Sequence, residues 1–102
     1  MKYTNDFKRK VFKVTRFIPV YAKLMRALEE NEYNSVRLIL EDLVDDKLLY
    51  EEHMEDHVVV KKIKENKKYA YTSRVNLYSE FMEMYTQYLD DGRVLQENRL
   101  YL

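Results

Sequence analysis

The chain contains no cysteine and no tryptophan, and only one glycine and one proline among 102 residues. Without cysteine, disulfides, thiolate metal sites and cysteine nucleophiles are all excluded. Ordinary usage of glycine and proline is roughly 7% and 5%, so Gly92 and Pro19 alone rule out flexible linkers and point to a single domain over residues 1–102. No apolar run approaches the ~20 residues that cross a bilayer. The opening MKYTNDFKRKVF also lacks the uninterrupted apolar stretch of a signal peptide, so the expectation is an intracellular protein with no membrane partner.

What the chain has in abundance is charge and tyrosine. Charged residues make up 35% of it, and ten Tyr with four Phe supply the aromatic packing. Each buried phenol hydroxyl needs a partner or a route to water, so a Tyr-rich core should leave some rings at its rim. Plentiful Lys and Glu with few glycines suggest a thermophilic chain in which ion-pair networks gain value, although six Asn and five Met run the other way. Net charge is zero, yet its order is not neutral. Residues 1–28 carry eight basic and one acidic side chain, 29–56 two and eleven, 57–74 six and one, and 75–102 two and five. The net therefore runs +7, −9, +5, −3, basic and acidic quarters in alternation.

The apolar pattern has the same twofold order. Val36, Ile39, Leu40, Leu43 and Val44 correspond, 45 positions on, to Phe81, Met84, Tyr85, Tyr88 and Leu89, both sets at the spacing of a helix face. Each face stops at an Asp pair, Asp45-Asp46 or Asp90-Asp91, and KLLYEE or GRVLQEN follows. These observations predict an α+β domain of two similar helix-then-strand motifs packed together, an internal pseudo-repeat with motif 1 over residues 1–53 and motif 2 over residues 54–102.

Along the chain, VFKVTRF at residues 11–17 alternates and reads as a strand or as the middle of a first helix, the strand being preferred. Pro19 suits the first turn of a helix that carries Val20, Tyr21, Leu24, Met25 and Leu28 and stops near Asn31. Asn34 or Ser35 caps the next helix. Residues 48–52 and 57–63 then flank an acidic turn as a hairpin. Thr72 or Ser73 caps a longer helix ended by Asp90-Asp91-Gly92, and residues 94–102 read as a closing strand with Leu100 and Leu102 on one face and Tyr101 on the other.

Few motifs carry chemistry. His53 and His57 in HMEDH stand four apart, a spacing similar to that of the inverted zincins, but Asp56 replaces the Glu of that pattern. A hairpin turn also separates the rings, so no metal is expected. The Asp pairs read as turn formers, since negative charge at a helix carboxyl end opposes the macrodipole. The clusters Lys8-Arg9-Lys10 and Lys61, Lys62, Lys64, Lys67 and Lys68, with Tyr69 and Tyr71 beside the second, fit either nucleic acid or a solvated face that pairs with a neighbouring acidic quarter. Ser35, Ser73 and Ser79 lack any motif context, and neither a nucleophile–base pair nor a phosphate loop is visible. No enzyme and no cofactor are expected.

SVRLILEDLVDDKLLY followed by HVVVKKI resembles the recognition helix and wing of winged-helix DNA-binding domains, over residues 20–63. That resemblance implies base contacts from Asn34, Ser35 and Arg37 and phosphate contacts from Lys61, Lys62 and Lys64. The chain departs from that family in the acidic Glu41, Asp42, Asp45 and Asp46, and in the helix that ordinarily precedes the turn. In size and composition it resembles the small uncharacterised proteins of filamentous viruses that infect hyperthermophilic archaea, which implies binding of host or viral macromolecules in the host cytoplasm.

The first expectation is a protein-binding module. A peptide or partner segment would lie in a groove between the two motifs, anchored on Tyr50, Tyr78, Met82 and Tyr85 and steered by Asp45, Asp46, Glu51 and Glu52. The strand at residues 94–102 would offer β-augmentation as a second route. A winged-helix-like DNA-binding regulator is the alternative.

Overall fold

Residues 3–100 are described by a computed structural model, with side chains through Gly92. The fold is α+β: α1 (Asn5–Thr15), α2 (Val20–Glu29), α3 (Tyr33–Val44), a 3-10 turn (Lys47–Leu49), β1 (Tyr50–Glu55), β2 (Val58–Ile63), a second 3-10 turn (Glu65–Lys67) and α4 (Lys68–Leu100).

The strand expected at residues 11–17 is instead the second half of α1. Thr4 caps this helix, its Oγ1 accepting from the Phe7 N–H at 3.1 Å, and Asp6 complements the first turn. The deciding series is Phe7, Val11 and Thr15, four apart and all buried. A reading frame that opens at Val11 cuts that series short and leaves only a misleading alternation. Thr15 satisfies its buried hydroxyl within the helix, donating to the Val11 carbonyl at 2.6 Å.

Pro19 precedes α2 as expected, and α2 ends in a Schellman closure on Asn31. The Glu32 N–H donates to the Ala27 carbonyl at 2.9 Å and the Asn31 N–H to that of Leu28 at 3.3 Å, with Asn31 at φ 54°. α3 then begins at once. Glu32 occupies its cap position without a side-chain bond, so Asn34 and Ser35 are not caps but members of the first turn.

β1 and β2 form an antiparallel hairpin in which Glu51 faces Lys62, Glu52 faces Lys61 and Met54 faces Val59. Asp56 and His57, at φ 47° and 65°, make its two-residue turn. Only Tyr50 and Ile63 at its base are half-buried.

The largest departure is α4. It starts at Lys68, so Thr72 and Ser73 lie inside it, and the Ser73 hydroxyl donates to the Tyr69 carbonyl at 2.9 Å instead of capping. It passes through Asp90, Asp91 and Gly92 without stopping. Gly92 does not take the positive φ of a helix stop, and Gln87 bridges to Asp91 one turn on, Nε2 donating to Oδ1 at 3.1 Å. Residues 94–100 are therefore helix where a strand was expected, and Tyr101 and Leu102 lie outside the described residues.

The second half does not repeat the first half's order of helix, stop and strand, so a two-motif repeat is not shown. The echoed apolar faces have another cause: α3 and α4 pack on each other, and Val36, Ile39, Leu40 and Leu43 meet Leu77 and Phe81 in one core. Tyr3, Phe7 and Val11 close it from α1, and Leu24, Ala27 and Leu28 from α2. The molecule measures 61 × 34 × 18 Å with a radius of gyration of 17.3 Å, against about 13 Å for a compact chain of this length. A 33-residue helix, about 50 Å long, accounts for the excess. Among the described residues no helix is long and apolar enough to cross a membrane.

Candidate functional site

The residues nominated as partner anchors fall into two places. Tyr50, Asp45 and Glu52 line a cavity of 360 Å³ together with Lys47 and Lys61. Tyr78 and Met82 line an open groove of 570 Å³ along α4, with Ser79, Glu83, Thr86 and Gln87. Tyr85 is in neither. Its ring stacks on Phe81 at 5.8 Å and lies 6.1 Å from Tyr33, so it belongs to the half-buried margin of the core.

The two places are joined by α3. The Tyr78 hydroxyl donates to Glu41 Oε1 at 3.1 Å, and the Tyr50 hydroxyl donates to the Val44 carbonyl at 2.8 Å, one turn further along. Burial and then this carboxylate raise the Tyr78 hydroxyl above its ordinary pKa. Tyr50 is raised by burial, then by Tyr71 and Asp45. Both phenols are thus donors held neutral at physiological pH. Tyr3 is pushed up to about 12 by burial and the neighbouring Tyr33, and among the described residues its buried hydroxyl has no hydrogen-bond partner.

The steering carboxylates differ in what already holds them. Asp46 begins the 3-10 turn, with Oδ1 accepting from the Leu48 N–H at 3.0 Å and Oδ2 from Arg74 Nη1 at 3.1 Å. Those partners hold its carboxyl below the usual carboxylate range, so Asp46 is a structural cap, the turn role its position suggested. Arg74 also donates to the Leu43 carbonyl at 2.9 Å, a cation placed at the negative end of α3. Glu51 and Glu52 follow each other along β1 and so point to opposite hairpin faces; Glu51 lies 3.6 Å from His53 Nε2. Asp45 is exposed.

For the DNA-binding resemblance the element order is favourable. α2 precedes the tight turn, α3 follows it, and the hairpin comes after, so the helix before the turn is present. The charges are not favourable. The outward positions of α3 are Asn34, Leu38, Asp42 and Asp45, with Leu38 54% exposed. Ser35 and Arg37 are half-buried, and Arg37 Nε lies 4.0 Å from Glu41. Lys61 and Lys62 face Glu52 and Glu51 across the hairpin, and Lys64 closes the hairpin base, its N–H donating to the Leu49 carbonyl at 2.9 Å. Leu38 was missed by sequence reasoning because it lies off the core face and is masked by Ile39 and Leu40 beside it; its only signal is that the positions four before and four after it, Asn34 and Asp42, are polar.

His53 lies within β1 and His57 in the turn, and among the described residues no cluster of three or more His, Asp or Glu side chains is placed to hold a metal ion. Comparison with protein families, with curated proteins and with solved structures finds no match.

Proposed function

We propose that this chain is a non-catalytic protein-binding module that takes a basic, partly apolar partner segment along the outer side of α3, between the groove at Tyr78 and Met82 and the cavity at Tyr50. The observation that carries this reading is the outward stripe Asn34, Leu38, Asp42 and Asp45. A DNA-reading helix needs donors and cations there, and a phosphate backbone would be repelled by the two aspartates. An exposed leucine between carboxylates suits instead a segment that pairs lysine or arginine with an apolar anchor, the charges steering encounter and the leucine adding buried area.

The element order favours a second reading, a winged-helix-like contact with duplex DNA through α3 and the hairpin. The two separate in one set of variants. In a fluorescence titration with a synthetic Lys- and Leu-rich peptide, Leu38→Asp should weaken binding about tenfold, roughly 1.4 kcal/mol, while Lys61→Glu with Lys62→Glu leaves it intact. If the peptide is indifferent to Leu38→Asp and a DNA duplex is bound and lost on the double lysine reversal, the second reading replaces the first.

A further inference from the structure

The second basic quarter pairs in part with the first acidic one, Lys61 and Lys62 facing Glu52 and Glu51 across the hairpin and Arg74 bonding Asp46, whereas Lys13 in the first basic quarter is exposed. Because α1 packs on α4, cations from both helices come together between them: Lys10 and Lys13 from α1 and Arg74 from α4, beside Glu80. Gathering like charge works against the compact state unless an anion is there to meet it. Lys10 is met by Glu80 at 2.7 Å and Arg74 by Asp46 at 3.1 Å, so Lys13 is the cation there for which a ligand is needed.

Between the two helices lies a trough. It consists of two cavities, of 240 and 180 Å³, that share Lys13, Val14, Tyr69 and Ser73 as lining. One continues past Leu77 and Asn76 to Lys10 and Glu80, the other past Ala70 to Arg74. Its floor is apolar, and its rim carries the Lys13 ammonium, the Lys10–Glu80 pair and the Asn76 amide. Tyr69 rises from it 86% exposed, a ring that nothing in the protein covers. Its backbone is fixed by the Ser73 hydroxyl, so the ring projects from a rigid first turn. Shortly after Lys13 in the chain, Phe17 is also 86% exposed, with the Arg16 guanidinium 4.6 Å above its ring.

We propose that this trough is a binding site for single-stranded nucleic acid, with bases stacking on Tyr69 and phosphates met by Lys13 and its neighbours. Exposed rings on a cationic groove are how sequence-tolerant single-strand binders work, because every base offers a π-face. A duplex hides those faces, and an acidic peptide would use the cations but leave the rings unemployed. The site lies on a different side of α4 from Tyr78 and Met82: residues 73, 76, 77 and 80 fall on one stripe at helical spacing and 78 and 82 on another, with Arg74 at the edge of the trough and tied to the end of α3. It therefore stands apart from the α3 surface proposed above.

The test is fluorescence anisotropy of a labelled oligothymidylate against the full chain over a salt series. Tyr69→Ala should weaken binding roughly 5- to 150-fold, the range for loss of one stacked base, with Tyr69→Phe close to wild type. Lys13→Gln should lower the slope of log affinity against log salt by about 0.7, one single-strand phosphate contact. Leu38→Asp should change neither. Tyr69 and Lys13 are surface residues, and an unchanged thermal unfolding midpoint confirms that their variants fold. The proposal is overturned by an oligonucleotide that does not bind at low salt, by Tyr69→Ala without effect, or by a duplex bound as tightly as the single strand. It is equally overturned by salt-sensitive self-association that Lys13→Gln abolishes, which would make the acidic side of a second copy the occupant.

Discussion

Single side chains settle how α3 is finished and how the chain turns toward the hairpin. Asp46 accepts from the Leu48 N–H and from Arg74, and Arg74 in turn covers the Leu43 carbonyl at the end of α3. Removing the carboxylate leaves Arg74, whose side chain is only 12% exposed, without its charged partner. Asp46→Ala should therefore cost roughly 1–3 kcal/mol in chemical denaturation at neutral pH. The pH dependence has a definite sign. The carboxyl is held lower in the folded than in the unfolded chain, so its contribution is full above the unfolded value, about 4, and is lost as pH falls through the lowered folded value. The difference between wild type and Asp46→Ala should accordingly shrink in acid and be flat from neutral pH upward. A difference that grows in acid would assign Asp46 another role.

At the scale of the element, α4 is the instructive case, because three residues that look like a stop are carried through as helix. Gly92 has open space around the position a Cβ would take and no positive φ to protect. Glycine within a helix costs about 0.8–1 kcal/mol relative to alanine, so Gly92→Ala should raise helical circular dichroism and stabilise the region by up to that amount. If Asp90-Asp91-Gly92 were a turn, the same change would destabilise it, and the spectrum would lose helix. The hairpin shows the converse. Its turn residues Asp56 and His57 take left-handed angles without any glycine, which the β-branched run Val58, Val59 and Val60 and the cross-strand pairs of glutamate with lysine enforce from outside the turn.

At the scale of the whole molecule, one core is shared by all four helices, and Phe81 is its hub. Its ring is fully buried, stacks near Tyr3 at 6.5 Å and on Tyr85 at 5.8 Å, and sits in the cluster with Val36 and Leu40. Phe81→Ala should cost about 3–5 kcal/mol and Leu40→Ala about 2–5, each lowering a single cooperative transition seen alike by fluorescence and circular dichroism. Two separable transitions would mean that α4 and the remaining helices do not share a core. The same assembly places exposed Asp42 and Asp45 on the outer side of α3 and exposed Lys13 beside Tyr69 between α1 and α4, although the formal net charge is zero.

Much of this was legible in the residues themselves. The α+β composition, the helix after Pro19, its end at Asn31, the face Val36, Ile39, Leu40 and Leu43, and the hairpin all follow from local periodicity and turn chemistry, which act between neighbours in the chain. So does the turn role of Asp46. The sequence by itself also determined the alternation of basic and acidic quarters, because charge order is a property of the chain alone. Only the tertiary structure decided what those patterns face. Phe7, Val11 and Thr15 became one buried stripe because α4 lies against them, and Asp90-Asp91-Gly92 is carried through as helix within α4. The likeness between the faces of α3 and α4 holds only in part: Phe81 is buried and Met84 and Tyr85 pack against the shared core, whereas Tyr88 and Leu89 are exposed, and helices that share a core need apolar residues at the same spacing whatever their origin. The meeting of Lys13 with Tyr69 across 56 positions is likewise set by α1 packing on α4, and no local rule relates residues so far apart in the chain.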